Sequence, residues 1–138
     1  RFGVLPGETN GTARAVLEDA VRAAAEGDAW LRENPPRIEW FEGQFESGET
    51  PADHPLLQTL GQAHAAVLGA TPPIEGVPYG SDLRLFTNHA RLPAVLYGPG
   101  EVSVAHTVDE WIDLEEVVTA TKIVAGFITR WVGSAARD

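Results

Sequence analysis

Three stretches of the sequence place apolar residues three and four positions apart, which is the spacing of an amphipathic helix. They cover residues 12–27, 53–69 and 113–133, and residues that cap or end helices bound each of them. The third stretch has the widest apolar face. We therefore predict three long helices, the last of them buried against a sheet.

Four other stretches favour extended backbone. Residues 1–5 end at a Pro-Gly turn, and residues 37–45 alternate in polarity and include aromatic and β-branched side chains. Residues 74–79 are short, and residues 92–97 form an apolar run typical of a strand covered on both faces. With a short helix predicted at residues 83–89, the order of elements is that of an α/β fold with two unequal parts.

Length, net charge and the lack of cysteine limit which partners and metal sites this chain could have. A chain of 138 residues can form one domain with its own core. Its formal net charge of -10, from 20 acidic and 10 basic residues, argues against nucleic acid or an anionic membrane as a partner. Without cysteine, a metal site could use only oxygen and imidazole ligands. No apolar run could span a bilayer and no signal-peptide pattern is present, so we predict a cytoplasmic protein.

The sequence begins at Arg1 and contains no methionine. Its first five residues have the pattern of the middle of a strand. We expect a segment of a longer protein, with the trimming of a few residues as the simpler alternative.

The loop that precedes the last predicted helix carries the main candidate chemistry. Residues 98–100 form a Gly-Pro-Gly turn, and a short apolar run then leads to His106, followed by Asp109 and Glu110. Imidazole is a frequent zinc ligand, and nearby carboxylates can be ligands or can orient one. The alternative is a solvated histidine with a structural role. For two other histidines the sequence favours such roles: His54 as a capping or packing residue, and His64 as a core or boundary residue with one satisfied nitrogen.

Three motifs together resemble a known family. They are Gly-Ser-Asp-Leu-Arg at 80–84, Leu-Pro-Ala-Val-Leu-Tyr-Gly-Pro-Gly at 92–100 and Ala-His-Thr-Val-Asp-Glu at 105–110. Their order and spacing resemble the C-terminal third of the acetylornithine deacetylase / succinyl-diaminopimelate desuccinylase family of zinc amidohydrolases, which includes carboxypeptidase G and aminoacylase. Residues 3–8 and the pair of stretches at 38–40 and 53–56 are similar to parts of that family's lid domain and its return to the catalytic domain.

The resemblance implies a division of the chain at the polar, turn-rich residues 46–51. Residues 1–46 would be part of a small βα lid domain, through which the intact protein forms a homodimer. Residues 47–138 would be the C-terminal α/β portion of a zinc-peptidase-like catalytic domain. That domain would hold two zinc or cobalt ions and take a small N-acyl amino acid as substrate.

The resemblance also implies roles for particular residues on the substrate side. Gly80, Ser81, Asp82 and Arg84 would line the substrate pocket. Arg84 would bind a substrate carboxylate as a bidentate partner. Asp82 would orient that arginine, or would instead be a helix N-cap.

On the metal side, the resemblance makes His106 a ligand of the second zinc. Asp109 and Glu110 would lie around that ligand, with a structural cap as the alternative for Glu110. The family's H-x-D motif and its adjacent glutamate pair are not in this chain, and Glu115-Glu116 instead falls in the first turn of a predicted helix. We expect the missing residues upstream of Arg1.

The sequence therefore predicts a segment of a metal-dependent amidohydrolase that removes an N-acyl group from an amino acid or related amine. No catalytic residue of the family is matched in this segment. Because a catalytic zinc takes about three protein ligands, we expect the segment alone to hold no metal stably and to be inactive. The alternatives are a non-catalytic α/β binding or assembly module, and a purely structural role in which His106 and Arg84 are surface residues.

Overall fold

The structure, a computed structural model, describes residues 3–41 and 43–135. The regular secondary structure of these residues is helical, and they contain no β-strand. In chain order the elements are α1 (Asn10–Glu26), α2 (Ala29–Glu33), α3 (Pro55–Leu68), a π-helical segment (Leu85–Ala90), a 3-10 turn (Val102–Val104) and α4 (Leu114–Ala135). None of these helices has both the length and the apolarity needed to cross a membrane.

The chain divides into two compact units, and each combines two separate parts of the sequence. The first unit consists of Arg1–Glu49 and Val77–Leu92, and the second consists of Thr50–Gly76 and Pro93–Asp138. The first unit therefore contains α1, α2 and the π-helical segment. The second contains α3, the 3-10 turn and α4.

The four predicted strands do not form within the described residues. The segments within 3–5, 37–45, 74–79 and 92–97 have neither helix nor strand where they are described. An alternating or apolar pattern favours extended backbone, but a strand also needs a neighbouring strand to satisfy its N–H and C=O groups. Within the described residues no such neighbour is aligned with these segments.

The predicted α/β class is therefore not confirmed, because the described part of the chain is helical. Arg1 and Phe2, which belong to the first predicted strand, lie outside the described residues. So does Glu42, which belongs to the second.

Side chains take over part of the backbone hydrogen bonding in the segments without regular structure. In the second unit, the Thr50 hydroxyl donates to the Ala94 carbonyl over 2.6 Å and accepts from the Ala94 N–H over 3.0 Å. In the first unit, the Ser47 hydroxyl donates to the Leu5 carbonyl over 2.9 Å. The Asn88 amide in turn donates to the Ser47 carbonyl over 2.9 Å. These contacts fix irregular backbone where a ladder of backbone hydrogen bonds was predicted.

The first predicted helix is confirmed as α1, which begins two residues earlier than expected. Thr9 and Thr12 form a reciprocal capping box, in which each side chain accepts from the other residue's backbone N–H. The short helix α2 was not predicted. Its signal was Asp28, whose carboxylate accepts from the first backbone N–H groups of the helix at 2.8 and 2.9 Å.

Residues 37–45 contact α1 through side chains. The Trp40 indole N–H donates to the Glu18 carboxylate over 2.8 Å. The guanidinium of Arg14 lies 5.4 Å from the centre of the Trp40 ring and donates a hydrogen bond to the Gln44 side chain. Trp40, one of the aromatic residues on which the predicted strand was based, thus holds this segment against α1.

The second predicted helix is confirmed as α3, with the predicted end at Gly69. Its N-cap is His54, whose Nδ1 accepts from the Leu56 N–H over 3.1 Å. Of the two roles predicted for His54, capping or packing, the structure shows the capping role. Pro55 occupies the first turn, where a missing N–H costs nothing.

The core of the second unit lies between α3 and α4. Leu60 and Ala63 of α3 and Ile123 of α4 are buried, and Ile123 is only 1% exposed. Tyr97 and Phe127 pack against this cluster and are partly buried. Burial of these apolar side chains is what stabilises the helix pair.

The third predicted helix is confirmed as α4, which continues two residues past Gly133. Its wide apolar face is only partly covered within the described residues, contrary to the predicted burial against a sheet. One side of the helix meets α3 through Ile123. A second stripe along the helix stays more than half exposed, at Leu114, Val118, Ile128 and Val132.

Of the core and boundary positions predicted for His64, the structure shows the boundary one, because the residue is partly buried. Its Nδ1 shares a hydrogen bond of 2.8 Å with the Tyr97 hydroxyl, and the two rings meet edge to face. Burial raises the pKa of the Tyr97 phenol above its usual 10.0. The hydrogen bond links α3 to the irregular segment that precedes the Gly-Pro-Gly turn.

We expect Ile123→Ala to lower the free energy of unfolding of the 138-residue chain by about 2–5 kcal/mol, because it removes a fully buried side chain from the α3–α4 core. The matched control is Ile128→Ala on the same helix, where the side chain is 52% exposed. It should cost about 0.5 kcal/mol or less. Urea unfolding followed by circular dichroism measures both. Equal losses in the two variants would contradict the assignment of the core.

We expect the stability of the chain to fall as the pH rises above 10, in part because of Tyr97. The phenol has a raised pKa in the folded state, so it ionises first in the unfolded chain and favours unfolding. Tyr97→Phe should therefore reduce the fall in stability above pH 10, whereas Tyr79→Phe, at a residue 44% exposed, should retain it. Urea midpoints measured at several pH values compare the variants. The same pH dependence in all three proteins would contradict this origin.

Candidate functional site

Residues 80–84 form a turn that leads into the π-helical segment Leu85–Ala90. The Ser81 hydroxyl accepts from the Leu83 N–H over 3.3 Å, and the Asp82 carbonyl accepts from the Leu85 N–H over 2.9 Å. The side-chain hydrogen bond to the backbone at the start of this turn is therefore made by Ser81, and not by Asp82 as the N-cap alternative predicted. The carboxylate of Asp82 is exposed instead, with 79% of the side chain accessible.

Arg84 is held in place by groups from its own turn. Its Nη1 donates to the Ser81 carbonyl over 3.1 Å and lies 3.6 Å from the Asp82 carboxylate. The Arg84 side chain is 21% exposed, so its charge lies partly out of water while that of Asp82 does not. Because Asp82 is so exposed, the ion pair alone contributes little to holding the guanidinium.

An aromatic ring from another part of the first unit covers the guanidinium. The Cζ atom of Arg84 lies 4.6 Å from the centre of the Phe45 ring, within the range of a cation–π contact. The same ring packs against Gly80, where an added Cβ atom would lie 2.5 Å from Phe45 Cγ. Only glycine fits at position 80 with the ring in this place. The sequence does not indicate Phe45 as part of this site, since no local pattern signals a contact across 35 or more residues.

The second candidate region is the loop that carries His106, in the second unit. The 3-10 turn Val102–Val104 precedes it, and His106 has a φ of 64°, in the left-handed region that side chains rarely adopt. The backbone N–H of His106 donates to the Glu110 carboxylate over 3.1 Å. His106, Asp109 and Glu110 are all exposed. Glu110 thus fixes the backbone of the loop beside the candidate ligand.

The loop is also tied to the start of α4. The Gly100 N–H donates to the Glu116 carboxylate over 3.0 Å. Asp113 caps the helix by accepting from the Glu115 N–H over 2.7 Å. The Glu116 side chain thus reaches back from the first turn of α4 to the Gly-Pro-Gly turn.

The described residues do not by themselves form a metal site. No group of three His, Cys, Asp or Glu side chains within residues 3–41 and 43–135 is close enough to hold an ion. A catalytic zinc takes about three protein ligands, so His106 could supply only one of a set completed from elsewhere. The other histidines have partners of their own, which are Leu56 for His54, Tyr97 for His64 and Glu46 for His89.

The structure therefore brings together Gly80, Ser81, Asp82 and Arg84 in the first unit, with Phe45 added. It brings together His106 and Glu110 in the second. The first group offers a partly covered cation, which suits an anionic ligand. The second offers an exposed imidazole on a constrained loop.

Comparison with known proteins assigns most of the chain to one family model. Residues 4–130 match the model of Peptidase family M20/M25/M40. No solved structure matches the chain. The motifs at 80–84 and 105–110 both lie inside the matched region.

Three curated relatives show the extent of the similarity. The N-formyl-4-amino-5-aminomethyl-2-methylpyrimidine deformylase of Bacillus subtilis is 33% identical over 134 residues, which cover 91% of this chain and 31% of that protein. The deformylase of the same name from Halalkalibacterium halodurans is 29% identical over 126 residues, covering 83% and 29%. The LysW-lysine hydrolase of Deinococcus radiodurans is 29% identical over 92 residues, covering 64% and 25%. The chain thus spans less than a third of the length of these relatives.

We expect His106→Gly to raise the free energy of unfolding by about 0.5–1 kcal/mol, because glycine relieves the left-handed backbone strain at a moderate entropic cost. His106→Ala is the matched control, since it also removes the imidazole but keeps a Cβ atom at a positive φ. It should give no such gain. Urea unfolding of the 138-residue chain compares the two, and a glycine variant no more stable than the alanine variant would contradict the strain.

Proposed function

Because this chain belongs to peptidase family M20/M25/M40, we propose that it is one segment of a metal-dependent amidohydrolase that removes an acyl group from the nitrogen of an amino acid or related amine. The match over residues 4–130 is the observation that carries this proposal. The names of the relatives support it, since they describe a deformylase of an N-formyl pyrimidine and a hydrolase of LysW-lysine. Within the family, the motifs at 80–84 and 105–110 favour the acetylornithine deacetylase / succinyl-diaminopimelate desuccinylase type.

On the substrate side, we propose that Arg84 binds a carboxylate of a small N-acyl substrate. Its hydrogen bond to the Ser81 carbonyl uses one guanidinium nitrogen and leaves others for a bidentate contact. Gly80, Ser81 and Asp82 line the pocket around it. The Asp82 carboxylate, 3.6 Å from Arg84 Nη1, is near enough to help orient that arginine, but its exposure keeps this contribution small.

On the metal side, we propose that His106 supplies one ligand to a site of two zinc or cobalt ions. In this proposal the remaining ligands and the general base come from outside the described residues, among which no three such side chains are close enough to hold an ion. In such enzymes the metals activate the attacking water. The hydrogen bond from the His106 N–H to Glu110 supports a role for that carboxylate in holding the ligand loop, with Asp109 beside it.

For the longer protein, we propose that residues 1–46 belong to a lid domain that forms a homodimer and that residues 47–138 belong to the catalytic domain. The N-terminal part of the first unit ends at Glu49, close to the proposed boundary between residues 46 and 47. The same unit also includes Val77–Leu92. We further propose that segments such as 92–97 become strands when the longer protein supplies ladder partners, since their apolar pattern suits a covered sheet. A cytoplasmic location stays a prediction.

We expect the 138-residue chain to be inactive and the polypeptide encoded by the complete reading frame around it to hydrolyse N-acyl amines. One imidazole cannot hold a catalytic metal, since such sites take about three protein ligands. Both proteins would be assayed with N-formyl and N-acetyl amino acids in the presence of zinc or cobalt, with release of the free amine as the readout.

Two results would contradict these expectations in different ways. Hydrolysis by the purified 138-residue chain would mean that the segment carries its own catalytic site. A complete polypeptide that binds N-acyl amines without hydrolysing them would instead favour the non-catalytic binding module. The control is the complete polypeptide stripped of metal with a chelator, which should lose activity and regain it when zinc or cobalt is added.

A further inference from the structure

We infer that Phe45 is a positioning residue that holds the guanidinium of Arg84 in the orientation that binds the substrate carboxylate. This inference rests on the proposed function, in which Arg84 makes that contact. The side chain of Phe45 reaches Arg84 from a segment 39 positions earlier in the chain, within the same unit. Neither the sequence motif nor its surroundings contains this residue.

The contacts around Arg84 leave its guanidinium little freedom. The Phe45 ring covers one face at 4.6 Å, and the Ser81 carbonyl accepts from Nη1 at one edge. With only 21% of the side chain exposed, the cation lies partly out of water, which strengthens its attraction to the ring. The ring contact on one face and the hydrogen bond at one edge together fix the plane of the guanidinium.

The ring is itself held from behind. An added Cβ atom at Gly80 would lie 2.5 Å from Phe45 Cγ, so the ring is packed against the backbone of the same turn that carries Arg84. At Gly48 an added Cβ atom would lie 2.9 Å from Arg84 Cα, so the segment after Phe45 is also in close contact with this turn. The aromatic ring is thus fixed between Gly80 and Arg84.

Positioning of this kind affects binding more than chemistry. An arginine that is already fixed loses less side-chain entropy when it binds a planar carboxylate through two N–H groups. Asp82 cannot replace Phe45 in this role, because it is 79% exposed and its ion pair at 3.6 Å is open to solvent. Loss of the ring should therefore raise KM for substrates with a carboxylate and leave kcat nearly unchanged.

The test uses the polypeptide encoded by the complete reading frame, with an N-acyl amino acid and its carboxamide as paired substrates. We expect Phe45→Leu to raise KM for the carboxylate substrate about fivefold, with kcat and the carboxamide kinetics unchanged. Phe45→Tyr keeps an aromatic face and should restore the wild-type KM. The matched control is Phe41→Leu, at a residue 77% exposed, which should change neither substrate.

A second readout follows the contact directly. The Nε–Hε resonance of Arg84 should carry a ring-current shift that is lost in Phe45→Leu and retained in Phe45→Tyr and Phe41→Leu. Circular dichroism of each variant shows whether it is folded. A Phe45→Leu variant that is folded and raises KM equally for both substrates, or lowers kcat alone, would overturn the inference, as would an unchanged Arg84 resonance.

Arg84→Lys separates this inference from the proposed function. If it leaves KM for the carboxylate substrate unchanged, the role proposed for Arg84 is wrong. If it raises that KM and Phe45→Leu does not, only the role of Phe45 is wrong. If the wild-type polypeptide hydrolyses neither substrate, the proposed function is wrong, and the resonance comparison still decides whether Phe45 holds Arg84.

Discussion

The backbone of the irregular segments must find hydrogen-bond partners without a sheet, and this constraint shapes both units. An unpaired N–H or C=O that is shielded from water costs as much as a lost hydrogen bond. Thr50 meets the requirement for Ala94 by pairing with both its N–H and its carbonyl through one hydroxyl. The Ser47 hydroxyl pairs with one backbone group only, by donating to the Leu5 carbonyl. Two short polar side chains therefore fix the backbone at Ala94 and Leu5 without a partner strand.

In the two candidate regions, local contacts restrict different parts of the candidate residue. Around Arg84 the turn, the ring of Phe45 and the glycine behind it all restrict a charged side chain. Around His106 the hydrogen bond to Glu110 restricts the backbone and leaves the imidazole exposed. The first arrangement suits recognition of an anion by a rigid group. The second suits a side chain that acts together with groups the described residues do not supply.

The sequence predicted the parts of this structure that depend on local periodicity and capping. The helices α1, α3 and α4 follow from apolar spacing, and the roles of His54 and His64 follow from their places at a helix mouth and beside an apolar stripe. Strand formation could not be predicted in the same way, because it depends on a partner strand and not on the pattern alone. The contact of Phe45 with Arg84 was equally out of reach, since it joins two segments that only the tertiary fold brings together.

The exposed stripe on α4 has a consequence for how molecules of this chain interact in solution. Val118, Ile128 and their neighbours on that stripe present apolar surface that attracts other molecules, whereas the formal charge of -10 keeps molecules apart. Charge repulsion reaches only about 10 Å at 0.1 M salt and less at higher concentrations, but apolar attraction is not screened. Ionic strength therefore sets the balance between the two, and we expect added salt to favour contacts between molecules through this exposed stripe.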